Sequence, residues 1–213
     1  MNQAPFDENL PATLAARFGA GPLPGRQAQR ELEPALCYGR HFGPPTRRAR
    51  QAAVVALLYP RAGEWHLPLT VRPGTLPSHA GQISLPGGAL NAGESPSQAA
   101  LRELQEELGV PAPQVTLLGE LSPLYVFVSE YSVTPCVAAV NARPDFQPSA
   151  DEVHELLEVP LALFLDPAHR GRHTRRVRGI ELSVPHFLWG RHRIWGATAM
   201  MLSELAELVR TCG

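Results

Sequence analysis

The residues from Pro86 to Val110, PGGALNAGESPSQAALRELQEELGV, restrict this chain more than any other stretch. A helix start is written there. Ser95 is placed as an N-cap that accepts from an orphan backbone N–H, Pro96 occupies the first helical position, where no donor is missed, and Gln98 can reach back to close a capping box. Gly109 is the matching stop, free to take the left-handed conformation that ends a helix. Between them Ala100, Leu101, Leu104 and Leu108 recur at helical spacing and supply a core face. This leaves Glu103, Glu106 and Glu107 for the other side.

Those three carboxylates stand at i, i+3 and i+4, where each like-charge pair costs a few tenths of a kcal/mol. They also crowd the helix C-terminus, where the macrodipole favours cations. Arg102 is the only cation in the last two turns. A divalent cation would complete the arrangement. Mg²⁺ and Mn²⁺ prefer oxygen ligands, commonly a few carboxylates with water and substrate phosphates in the remaining positions. Gly87 and Gly88 add a bare backbone bend ahead of the helix, through which a carbonyl or a phosphate can approach. A solvated Glu-rich face is the plain alternative for an E-x-x-E-E run alone.

The full spacing is more specific. Gly88, five residues, Glu94, seven residues, then Arg102-Glu103-Leu104-Gln105-Glu106-Glu107-Leu108-Gly109-Val110 resembles the complete signature of the Nudix hydrolases. That resemblance implies metal-dependent hydrolysis of a nucleoside diphosphate linked to another moiety. It also implies an α/β fold, the Nudix α/β/α sandwich on a mixed β-sheet, with the signature as a loop-helix-loop. Carried over position by position, it makes Glu103 and Glu107 the main metal ligands, with Glu106 a further ligand or a close partner of one, and Gly88 a backbone contact to the metal. Arg102 would orient a carboxylate, and Glu94 would be its partner or touch a metal-held water.

Around this stretch the chain divides into an extension, residues 1–48, and a domain, residues 49–213. Leu10, Leu14 and Phe18 suit a short helix in the extension before Gly19–Pro24 breaks it. The extension is expected to be an arm packed on the domain or at a homodimer interface. Gln51 to Tyr59 is an almost unbroken apolar run that reads as a buried central strand ended by Pro60. Arg61-Ala62-Gly63-Glu64 forms a turn, and Trp65 to Arg72 returns as a second strand. Val115–Leu121 and Tyr131–Val140 read as further strands, Leu124–Val128 as a buried segment, and Ala197 to Arg210 as a final helix.

The loop between the second strand and the metal helix carries a narrower resemblance. Leu69-Thr70-Val71-Arg72, Gly81-Gln82 and Pro86-Gly87-Gly88 are similar to the extra motif of the coenzyme A pyrophosphatase subfamily, with departures at Pro73, Pro77 and Leu85. Tyr131–Pro135 and Ile194–Ala199 are similar to subfamily segments in the expected order. The implied substrate is coenzyme A, or its oxidised or acylated forms, cleaved to 3′,5′-ADP and 4′-phosphopantetheine. ADP-ribose, NADH and dinucleotide polyphosphates are the other substrates the family suggests, and a non-catalytic nucleotide-binding module is a further option. Arg72 is the candidate for a substrate phosphate because a guanidinium bonds phosphate bidentately. His79, Gln82 and Gly87 are further substrate candidates. Glu152, in a later acidic turn, is a candidate third ligand or general base, with a solvated turn as the alternative.

Charge and cysteine usage narrow the remaining classes. Nineteen basic and 20 acidic residues give a net charge of −1, which argues against a bulk nucleic-acid binder. Residues 169–178 are the most basic run, read either as a solvated loop or as a contact for a 3′-phosphate. Cys37, Cys136 and Cys212 are three in number, widely spaced and in no C-x-x-C pattern, which suits a reduced cytoplasm. No apolar run approaches a membrane span, so a cytoplasmic protein with a small-molecule partner is expected.

Overall fold

The computed structural model describes residues 7–35, 37–74, 81–177 and 179–212. In chain order the helices and strands are α1 (Leu10–Gly19), α2 (Gly25–Arg30), β1 (Arg50–Arg61), β2 (Glu64–Val71), β3 (Ile83–Ser84), β4 (Gly87–Ala89), α3 (Pro96–Leu108), β5 (Thr116–Glu120), β6 (Leu124–Val126), β7 (Tyr131–Ala139), β8 (Glu155–Pro160), α4 (Leu161–Leu165), β9 (Arg170–Val177), β10 (Ile180–Trp189), β11 (His192–Trp195) and α5 (Ala197–Arg210).

The central strand explains the architecture. β1 is apolar along nearly its whole length because both of its faces are covered. Ala53, Val55, Leu57 and Tyr59 pack with Ala99, Ala100, Leu104 and Leu108 of α3. Ala52, Ala56 and Leu58, on the alternate positions, belong to the core shared with α5 and α1. β7 divides in the same way, Cys136 and Ala138 toward α3 and Val133, Val137 and Ala139 away from it. The result is a helix–sheet–helix sandwich. Its sheet is mixed: β1 and β7 are parallel, with Arg50 opposite Tyr131 and Leu58 opposite Ala139, whereas β2, β4, β5, β6 and β8 all join antiparallel.

Three expectations need correction. β1 runs through Pro60 to Arg61 instead of stopping, because its ladder with β7 ends at Leu58 and a proline is tolerated where a strand becomes an edge. The basic run is not a loop: Arg170–Val177 is β9, paired with β10, which pairs with β11 in a separate antiparallel sheet. The segment Leu124–Val128 is buried only at its start, where β6 pairs with β7, and Val128 is 77% exposed.

The extension contributes to the main core. Leu10, Leu14, Leu32 and Phe42 are buried in it on the α5 side, and the ring of Phe18 covers Gly119 so closely that a side chain there would collide with it. Each such aliphatic side chain adds on the order of 1.5–3 kcal/mol by leaving water. The α1 helix matches its sequence pattern, and α5 matches its expected bounds.

Candidate active site

The helix α3 begins and ends as its residues dictate. Ser95 Oγ accepts from the Gln98 N–H at 3.3 Å, and the Gln98 side chain accepts from the Ser95 N–H at 2.9 Å. Gly109 is left-handed with φ 71°, and its N–H donates to the Gln105 carbonyl. Leu104 and Leu108 are fully buried. The helix is rotated slightly from the expected orientation: Leu101 is only half-buried, and Glu107, expected on the solvated side, is 5% exposed.

Arg102 joins the preceding loop to the helix. Its Nε and Nη2 donate to the two Glu94 oxygens at 2.9 and 3.1 Å, its Nη1 to Glu103 at 2.8 Å and Glu106 at 3.0 Å, and its Nη2 also to the Ala89 carbonyl at 3.0 Å. Glu94 further accepts from the Asn91 N–H at 2.8 Å. The guanidinium holds the Glu94 carboxyl below its ordinary range. One arginine thereby fixes three carboxylates and the strand β4.

Burial acts on the other members. It pushes the Glu103 carboxyl up, against the opposing pull of Arg102. Glu107 is pushed up to about 8, first by burial, with the negative charges of Glu103 and Glu152 adding to it, while the Gly87 N–H and the charge of Arg72 act the other way. Its Oε2 is buried and has no hydrogen-bond partner. Nearby glycines make the space. A side chain at Gly88 would occupy the place of the Glu103 carboxylate, and one at Gly87 would run into the backbone of Ala53.

The loop that leads into the acidic turn of Glu152 closes the far end, through Gln147 and Ser149, which were not singled out in the sequence. The Gln147 N–H donates to the Leu108 carbonyl and the Ser149 N–H to the Glu107 carbonyl, both at 2.8 Å, which satisfies helix-end acceptors that would otherwise be orphaned. Val153 is buried, and the exposed Glu152 beside it is brought into electrostatic reach of Glu103 and Glu107. The signal for this loop was present only as polar residues after a proline. The His154 N–H then donates to the Val71 carbonyl, tying the loop to the end of β2.

Of the proposed substrate residues, Arg72 follows β2 directly and its charge reaches Glu107; its Nε is buried without a hydrogen-bond partner. The Arg72 N–H donates to the Gln82 carbonyl at 3.0 Å and its carbonyl accepts from Gly81 at 3.1 Å, so the two halves of the 69–88 motif pair at the base of their loop. Gly87 lies in β4 beside β1. His79 and Pro77 lie outside the described residues.

A buried carboxyl with one unanswered oxygen, two further carboxylates on the same helix and one from the adjoining loop suit a hard divalent cation. A cation held there would take the place of the proton that burial favours on Glu107. In chemistry the donor set fits such an ion, oxygen ligands from carboxylates for a hard cation.

Comparison with known proteins shows the family. The NUDIX domain family matches residues 49–177. Uncharacterized Nudix hydrolase NudL of Pectobacterium atrosepticum is 39% identical over 171 residues, covering 76% of this chain and 84% of that protein. Its namesake in Escherichia coli K12 is 37% identical over 165 residues, covering 76% and 83%. A crystal structure of the Nudix hydrolase RenU from M. smegmatis shares the fold, with a TM-score of 0.53 at 22% identity over 77% of this chain and 87% of that one.

Proposed function

This chain belongs to the Nudix hydrolase family, and from that premise we propose that it hydrolyses the diphosphate of coenzyme A, or of its oxidised or acylated forms, to 3′,5′-ADP and 4′-phosphopantetheine with Mg²⁺ or Mn²⁺. The observation that carries the hydrolytic half is Glu107, buried with an unanswered oxygen among like charges. The substrate half rests on the 69–88 motif, whose Arg72 and Gln82 backbones pair beside the carboxylates.

Glu103, Glu106 and Glu107, with the Gly88 carbonyl, would hold the cation. Bound there, it would supply neutralisation of diphosphate charge and acidification of water for in-line attack on phosphorus. The remaining roles belong to the chain. Arg102 keeps Glu103 and Glu106 oriented through its bonds to Glu94 and the β4 backbone. Arg72 binds a substrate phosphate oxygen with its guanidinium. Glu152, exposed to solvent and within electrostatic reach of Glu103 and Glu107, takes the proton of the attacking water. Gln82 and His79 contact the substrate from the motif loop, and Gly87 lets it approach the backbone.

Chromatographic product analysis tests this with pure protein, Mg²⁺ or Mn²⁺, and separately coenzyme A, ADP-ribose, NADH and diadenosine polyphosphates. Metal-dependent release of 3′,5′-ADP and phosphopantetheine, lost in Glu107→Gln, is the expected result. Turnover confined to another substrate would keep the hydrolase and remove coenzyme A from it.

A further inference from the structure

The arm contains a second cluster of ligating side chains that the hydrolytic site does not use. Glu33, Cys37 and His41 succeed one another at four-residue spacing after α2, His41 within the 3-10 turn Arg40–Phe42. Their ligand atoms all lie within 4.8 Å of one another. Cys37 and His41 are buried, and Glu33 Oε1 is buried with no hydrogen-bond partner. Leu32 and Phe42, which flank the cluster, are in the core on the α5 side, whereas the α3 carboxylates lie on the other face of the sheet.

The imidazole is oriented for ligation. His41 Nδ1 lies 2.8 Å from the Tyr125 carbonyl oxygen, and since a carbonyl only accepts, Nδ1 carries the proton. This leaves Nε2 unprotonated and free to act as a ligand atom. A backbone carbonyl behind a ligating histidine is the usual device for fixing tautomer and ring direction at a metal. The ring also packs on Phe127, with centroids 4.8 Å apart. The turn itself is fixed by Arg40, whose Nε donates to the Cys37 carbonyl at 3.0 Å while its guanidinium lies 4.1 Å over Phe127.

The donor set chooses the ion. One carboxylate and one thiolate balance a divalent charge, and a sulfur, a nitrogen and an oxygen donor suit borderline-soft Zn²⁺ and disfavour Mg²⁺. Three protein ligands leave a fourth tetrahedral position. A cavity of about 260 Å³ lined by Arg26, His41, Ser122 and Tyr125 reaches the His41 side of the cluster. We propose that Glu33, Cys37 and His41 form a zinc site that ties these three side chains to one another and, through the bond of His41 to the Tyr125 carbonyl, to β6. The site is separate from the hydrolytic one in place, donor type and metal.

The test uses the full chain stripped of metal and titrated with Zn²⁺ against a chromophoric chelator in excess Mg²⁺, then with Co²⁺ as a spectroscopic substitute. One tight Zn²⁺ equivalent is expected, with a thiolate-to-Co²⁺ charge-transfer band and a rise in melting temperature on Zn²⁺ addition. Cys37→Ser should abolish the band, and Glu33→Gln, a near-isosteric change at a half-buried position with folding checked by circular dichroism, should weaken Zn²⁺ by at least the ~10–100-fold that outer-shell changes cost at metal sites. Glu107→Gln should change neither. A folded wild-type protein that gives no thiolate band, or Zn²⁺ binding that survives Cys37→Ser and is lost in Glu107→Gln, would overturn the proposal. Because the readouts are spectra, affinity and melting, they are independent of whether coenzyme A is the substrate.

Discussion

Two glutamates are withdrawn from water on helices that cover opposite faces of the sheet, and they are treated in opposite ways. Glu204 on α5 is 0% exposed and fully answered: Oε1 accepts from the Gly25 and Ser122 N–H groups, both at 3.1 Å, and Oε2 from Gln29 Nε2 at 2.7 Å. Glu107 on α3 is 5% exposed, receives the Gly87 N–H, and keeps Oε2 unanswered beside other carboxylates. Burial of a carboxylate therefore does not by itself distinguish the two. Glu204 bolts the arm and the β5–β6 connection to α5, while Glu107 keeps one oxygen unanswered, which the proposed cation would use.

The largest effect should come from Glu107→Gln. With Mg²⁺ or Mn²⁺ saturating, kcat/KM should fall by about 10²–10³-fold or more, equivalent to roughly 3–4 kcal/mol of transition-state stabilisation. In chelator, urea unfolding should show no loss of stability, because the amide removes a buried charge that nothing answers. A metal-free Glu107→Gln that unfolds far more easily than wild type would break the contrast with Glu204.

Next is Glu204→Ala, which should cost about 3 kcal/mol by removing a buried carboxylate that accepts from the Gly25 and Ser122 N–H groups and from Gln29, seen as a fall in melting temperature of roughly 6–12 °C. Activity per folded molecule should stay near wild type. A loss of activity greater than the loss of folded protein would mean that Glu204 also shapes the site. Somewhat smaller is the effect of metal on stability. At about 100 times its dissociation constant, Mg²⁺ or Mn²⁺ should stabilise wild type by ~2.7 kcal/mol, and Glu107→Gln by much less. Equal stabilisation of both would place the ion elsewhere.

The sequence made one of the two glutamates readable. Around Glu107 the capping box, the stop glycine and the i, i+3, i+4 carboxylates are all local, so periodicity and spacing reveal them. Strand β1 was legible for the same reason, its apolar run being the direct consequence of two covered faces. Glu204 was not legible, because its partners Gly25, Gln29 and Ser122 lie far away in the chain and nothing near it in sequence signals a buried acid. Basic β9 was misread since a strand with one solvated face carries charges as freely as a loop does, and only its pairing with β10 distinguishes them. Cys37 and His41 stood four residues apart in plain view. Their meaning depends on Tyr125, which only the fold brings to them.

A third carboxylate sharpens the comparison because it is answered by cations. Glu158 on β8, itself mostly buried, accepts from Arg143 at 2.7 and 2.8 Å and from the Tyr59 hydroxyl at 2.9 Å, with Arg61 at 3.2 Å. Arg143 and Tyr59 hold its carboxyl below the ordinary range, against burial. A carboxyl whose folded pKa lies below its unfolded value near 4.3 stabilises the fold above that value. The contribution is lost as pH falls through the folded pKa. Both arginines are more than two-fifths exposed, with side chains at 43% and 45%, so the pair is screened and Glu158→Gln should cost only about 1 kcal/mol at pH 7. The difference between variant and wild type should shrink when urea midpoints are measured at progressively lower pH below ~4. If it instead persists unchanged into acid, the stabilisation comes from packing and the tyrosine hydroxyl, and charge is not what answers Glu158.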